Sequence, residues 1–171
     1  DLAIANAETN GLTDRMTILT GDLLVPPSGL AAGGFDHVMA NPPYEIPGTG
    51  NVSPHAGKAV ASVEGEAKLA DWVGFCLHMV RRKGTVSFIH RADRLDDLLI
   101  AMGDGFGDLA VFPLWPGGGA GVKPAKRVLV RGRKGVSSPL RLLPGLVLHG
   151  DDGGFTQEAE AVLRDAGALL F

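Results

Sequence analysis

The sequence predicts an α/β domain, and three observations carry that expectation. Short apolar or β-branched runs at 16–20, 35–40, 85–89 and 127–130 alternate with segments whose apolar residues recur at three- and four-residue steps. Such alternation argues for a largely parallel sheet with helical crossovers. The 171 residues are 45% hydrophobic and 20% charged, which suits one globular domain with a substantial core. Finally, the run at 35–40 stops at two consecutive prolines, which cannot continue a ladder. The tetrapeptide Asn41-Pro42-Pro43-Tyr44 therefore stands at a strand's C-terminal end, where open α/β sheets hold their ligands.

The elements follow in order. Residues 2–10 carry alanines and leucine at helical spacing and end at Asn10-Gly11, a stop signal, so a short amphipathic helix is expected. A strand at 16–20 is closed by Gly21-Asp22 ahead of a Pro26-Pro27-Ser28-Gly29 loop. After the tetrapeptide, residues 45–64 are rich in Gly, Pro, Ser and Asn, a connection long enough to suggest a functional flexible loop. Leu69, Val73, Cys76 and Val80 mark a core-facing helix over 67–83, with Arg81-Arg82-Lys83 placing cations at the negative end of its dipole. A strand at 85–89 precedes a helix capped by Asp93 and running through Leu95, Leu98, Leu99 and Met102. Strands at 108–113 and 127–130 flank the Gly117-Gly118-Gly119 run. The tail holds Leu146-Val147-Leu148, a turn at Asp151-Asp152-Gly153-Gly154, and a helix capped by Thr156 with Glu158 and Glu160 in its first turns.

Charge and cysteine usage narrow the function classes. The net charge is −3, yet no acid occurs from Leu109 to Gly150, where Lys123, Lys126, Arg127, Arg131, Arg133, Lys134 and Arg141 lie. The stretch 123–141 is a candidate polyanion contact, with a solvated surface as its plainer reading. A single cysteine, Cys76, excludes an internal disulfide framework and leaves too few thiols for a thiolate zinc site. The five histidines show no ligand spacing, so no metal is expected. No apolar run approaches the roughly 20 residues of a membrane span, and a secretory signal pattern is missing, which points to a cytoplasmic protein.

At the tetrapeptide, the Asn41 amide oxygen and the Pro42 carbonyl can each accept a hydrogen bond from a substrate NH2 group. Tyr44, with Phe35 as the second candidate, offers a face on which a flipped base can stack. The plainer reading is a proline turn that Asn41 caps with its own side chain. Asp22, at a strand's end, is likewise either a turn cap or a ligand contact.

Asn41-Pro42-Pro43-Tyr44 resembles the signature of S-adenosylmethionine-dependent amino methyltransferases, which methylate exocyclic amines of adenine or side-chain amides. Ala5-Asn6-Ala7-Glu8-Thr9-Asn10-Gly11-Leu12, Arg15-Met16-Thr17-Ile18 and Gly21-Asp22-Leu23 resemble the helix, third strand and acidic adenine-contact motif of that fold. Pro124-Ala125-Lys126-Arg127-Val128-Leu129-Val130, with Leu146 to Thr156, is similar to the C-terminal part of the bacterial valine-tRNA adenine-N6 methyltransferases, which modify an adenine beside the anticodon. The resemblance implies a class I, Rossmann-like methyltransferase sheet using S-adenosylmethionine, with Asp22 and Asn41 at the cofactor. It implies catalytic roles for Asn41, Pro42 and Tyr44, and contacts to a tRNA substrate from Pro43, Tyr44, Lys123, Lys126 and Arg127.

That family's glycine-rich cofactor loop and its acidic ribose contact have no counterpart here and would lie before Asp1. The expectation is therefore a single methyltransferase domain lacking its N-terminal part, with sheet edges open to self-association and weak or no cofactor binding by these 171 residues. Two alternatives stay open. The same tetrapeptide serves glutamine methylation in release factors, and the chain can also be read as a non-catalytic RNA-binding fragment.

Overall fold

The computed structural model describes residues 2–44, 65–118, 123–169 and 171. The chain divides into two units, Asp1–Leu30 and Ala31–Phe171. The expected loop at 45–64 lies outside the described residues.

In the smaller unit, helix α1 (Leu2–Thr9) ends where Asn10-Gly11 predicts. Gly11 adopts a left-handed φ of 63°, the Leu12 N–H donates to the Ala7 carbonyl at 2.8 Å, and the Gly11 N–H donates to the Glu8 carbonyl at 3.0 Å. This is the paired C-terminal cap that glycine adopts without a Cβ penalty. The expected amphipathic face is not formed, because two alanine-rich turns bury only Ala7 and leave Leu2 81% exposed. Residues 16–20 do not form the expected strand. Apolar, β-branched composition fits a strand only beside a neighbour; none pairs with this segment among the described residues, and Leu19 is 56% exposed. Asp22 makes the turn-capping bond, its Oδ1 accepting from the Leu24 N–H at 2.9 Å.

The larger unit is built on β1 (Phe35–Ala40), α2 (Leu69–Met79), β2 (Val80–Arg91), α3 (Leu95–Met102), β3 (Phe106–Trp115), β4 (Arg127–Lys134), β5 (Arg141–Leu142), β6 (Leu146–Val147) and α4 (Gln157–Leu163). Its sheet runs β1-β2-β4-β3-β5, with β6 also paired to β3. β1 and β2 are parallel, as are β3 with β5 and with β6, but β4 runs antiparallel to both β2 and β3. The largely parallel sheet expected from the alternation is thus corrected to a mixed one. Only residues 116–126 join β3 to β4; a parallel return needs a crossover of about a dozen residues or more, usually a helix.

Helix α2 buries Leu69, Val73 and Cys76, the positions its periodicity marks, but it ends at Met79 rather than at 83. The chain turns extended at Val80, and Arg81, Arg82 and Lys83 lie on an irregular start of β2, where Arg81 pairs with Asp36 of β1. The cation at the helix's negative end comes instead from β4: Lys134 Nζ donates to the Leu77 carbonyl at 2.7 Å and to the Val80 carbonyl at 2.9 Å. Gly84 is needed where the strands close up, because a Cβ there would stand 2.7 Å from the Asp36 carbonyl oxygen.

The core sits between one sheet face and the two helices. Val86 and Phe88 of β2, Val128 and Val130 of β4 and Val111 of β3 meet Val73 and Cys76 of α2 and Leu98 and Met102 of α3. Burial pushes the Cys76 thiol up to about 11. Asp93 does not cap α3 as expected: it lies in the 3₁₀ turn Ala92–Arg94, and its Oδ1 accepts from Arg91 Nε at 2.8 Å. At the tail, Thr156 does cap α4, its Oγ1 accepting from the Ala159 N–H at 3.2 Å and donating to the Val147 carbonyl at 2.7 Å. Among the described residues no helix is long and apolar enough to cross a membrane.

Candidate functional site

Parallel pairing of β1 with β2 brings the C-terminal ends of both strands to one edge of the sheet. The antiparallel β4 begins at that same edge, because Arg127 is the register partner of Arg91 in β2 and of Leu114 in β3. The edge therefore gathers Asn41 to Tyr44, the segment from Arg91 to Arg94, and Lys126 with Arg127. Strand direction alone does this.

Within the tetrapeptide, Asn41 is exposed, Pro43 and Tyr44 are half-buried, and Pro42 is buried. The Asn41 amide is open to a ligand. The Pro42 ring is packed below the surface. Tyr44 is held from two sides. Arg94 Nη1 donates to its backbone carbonyl at 3.3 Å, and the Arg127 guanidinium carbon lies 4.5 Å from the ring centroid. Arg94 is itself fixed to Asp97 in α3, Nε to Oδ2, at 2.9 Å. One face of the Tyr44 ring is thus occupied by a cation.

Phe35, the second stacking candidate, is corrected by its position. It opens β1, five residues before Ala40, which at about 3.3 Å per residue places it roughly 17 Å from the tetrapeptide's end of the strand.

The basic stretch separates by position. Lys126 and Arg127 line a cavity of about 320 Å³ with Arg91, Asp93 and Ala125. Lys123 lines another of about 410 Å³, with Gly117, Gly118, His149 and Asp151 among its walls. Arg131 lies 5.1 Å from the Phe171 ring centroid, while Arg133, Lys134 and Arg141 engage acceptors toward the other end of β4. Beside the first cavity, Arg91 holds the Asp93 carboxyl below its ordinary range by direct hydrogen bonding and by charge, and the Arg127 charge adds a smaller effect. Sequence reasoning missed Arg91 and Arg94. Their only local signals are the short acid spacings Arg91/Asp93 and Arg94/Asp97.

Asn41 presents an exposed amide at the C-terminal end of β1. In the smaller unit, Asp22 uses one carboxylate oxygen to cap its own turn.

No family model matches the sequence, and no curated protein matches it. A crystal structure of a predicted O-methyltransferase from Agrobacterium tumefaciens is similar in fold, with 21% identity, a TM-score of 0.75, and coverage of 98% of this chain and 72% of that one. The mixed sheet with its flanking helices is a methyltransferase-like α/β fold.

Proposed function

We propose that the protein transfers a methyl group from S-adenosylmethionine to the exocyclic amine of an adenine in tRNA. The observation that carries the reading is the placement of Asn41-Pro42-Pro43-Tyr44 directly after β1, at the ligand-holding edge of a methyltransferase-like sheet. S-adenosylmethionine supplies, when bound, a methyl group already activated on a sulfonium. Asn41 and Asp22 would hold it, Asp22 through the amino group of its adenine. The Asn41 side-chain oxygen accepts from the substrate amine and, with the Pro42 carbonyl, keeps the nitrogen lone pair aimed in line. Tyr44 would stack the base with the ring face opposite Arg127. Pro43 shapes the approach, and Lys123, Lys126 and Arg127 meet the RNA backbone. Positioning and hydrogen bonding carry the rate.

The test uses the intact protein and labelled methyl donor. Asn41→Ala is expected to lower methylation of tRNA by about 10²- to 10³-fold while changing cofactor affinity far less. Activity surviving that change would show that the tetrapeptide does not present the amine. Transfer to a release-factor glutamine instead of tRNA would move the same chemistry to a protein substrate.

A further inference from the structure

We infer that the cavity beside Tyr44 is a phosphate pocket, in which Arg91, Lys126 and Arg127 take one phosphodiester of the polynucleotide substrate next to the nucleotide being methylated. This rests on the amine-methylation reading and adds to it a discrete binding site.

The first argument is an unfavourable pairing. Arg91 and Arg127 are direct register partners across β2 and β4, and like charges placed opposite each other destabilise a sheet. Lys126 adjoins Arg127 in sequence, and among the described lining residues Asp93 is the one acid, paired with Arg91. Among the described residues that line the cavity, three are cations and one is an acid, a wall that attracts an anion.

The second argument is size. About 320 Å³ lies at the small end of the roughly 300–1,000 Å³ range of ligand cavities and suits a phosphate with part of its sugar.

The third is the double position of Arg127. It lines the cavity and also covers the Tyr44 ring at 4.5 Å. A guanidinium can lie with its face on a ring while its edge N–H groups donate to phosphate oxygens. A phosphate held there is therefore fixed relative to the Tyr44 ring, so the pocket sets the distance between the gripped backbone and the presented base. A glutamine side chain on a protein brings no such anion.

The experiment measures binding of bulk bacterial tRNA by fluorescence anisotropy across a sodium chloride series, with methyl transfer assayed on the same proteins. Lys126 is exposed, so its replacement leaves the core intact. Lys126→Ala is expected to flatten the slope of log affinity against log salt by about 0.7–0.9, and Arg91→Gln with Lys126→Ala by about twice that. Lys126→Arg should restore the wild-type slope, and Arg141→Ala, near the other end of β4, should leave it unchanged. Unchanged slopes in both pocket variants, with wild-type protein still methylating tRNA, would overturn the pocket and leave the proposed function standing. A Lys126→Arg slope equal to that of Lys126→Ala would also overturn it, since charge would then not be what binds. Methylation of a release-factor glutamine and not of tRNA would overturn both readings together.

Discussion

At the C-terminal end of β4 the cations close on protein acceptors, whereas at its N-terminal end they close on an aromatic ring and a cavity. Lys134 Nζ caps α2 through the Leu77 and Val80 carbonyls at 2.7 and 2.9 Å, and Arg133 and Arg141 converge on Asp108 at 3.9 and 3.3 Å. Arg127 instead covers Tyr44, and Lys126 lines the cavity with Arg91. The two ends are alike in composition and differ in where they lie on the sheet. A basic run is therefore not a unit of structure: the end at the C-terminal edge of β1 and β2 lines a cavity, and the far end holds the fold together.

The largest effect expected from this contrast belongs to the far end. Lys134→Met removes two charge-assisted bonds to helix-terminal carbonyls and should lower unfolding free energy by about 2–3 kcal/mol. Urea denaturation with an unchanged m-value would measure it, and methyl transfer by the folded protein should stay at the wild-type rate. Loss of activity without loss of stability would invert the comparison.

At the site end the signs should reverse. Arg127→Leu removes the guanidinium from the Tyr44 ring, a contact worth about 0.5–2 kcal/mol, so kcat/KM should fall about 2- to 30-fold. The denaturation midpoint should hardly move. Equal losses of stability and activity would mean that Arg127 is structural as well.

This contrast was only half legible in the sequence. The lack of acids from Leu109 to Gly150 drew attention to Lys123, Lys126 and Arg127, but local chemistry cannot say which basic residue meets which acceptor. Lys134 reaches carbonyls 54 and 57 positions away, and Arg94 reaches Tyr44 across 50. Features that close within a few residues were readable: the Gly11 helix stop, the Thr156 cap, the buried positions of α2, and the proline end of β1. Those that depend on a partner strand were not. Residues 16–20 have a strand's composition without a described neighbour, β4 takes its direction from a connection too short for a crossover, and Lys134 of a distant strand, not Arg81 to Lys83, serves the end of α2.

Among the described residues an acid pairs near each end of β4, Asp108 at one and Asp93 at the other, which gives two smaller tests. Asp108 has a left-handed φ of 51°, which asparagine tolerates, so Asp108→Asn changes charge with little backbone strain. It should cost at most about 1 kcal/mol, and the difference should vanish in 1 M salt, where the screening length is about 3 Å. Binding of tRNA should not respond, because the two arginines released lie toward the far end.

Asp93→Asn is the matching change at the site end, and its stability effect is the smallest. The Asp93 side chain is 59% exposed, so its pairing with Arg91 contributes only a few tenths of a kcal/mol after solvent screening. Arg91 holds the folded-state carboxyl below its ordinary 3.8. The contribution is therefore fully present above that value and lost as pH falls through the folded one, so the stability gap between wild type and Asp93→Asn should close in acid. Affinity for tRNA should move the other way. Removing the carboxylate takes one negative charge from the cavity's described lining, which should tighten tRNA binding at neutral pH and low salt. A variant that is slightly less stable yet binds tRNA more tightly would separate the two ends of β4 sharply; one that binds more weakly would make Asp93 part of the binding surface rather than a counterweight to it.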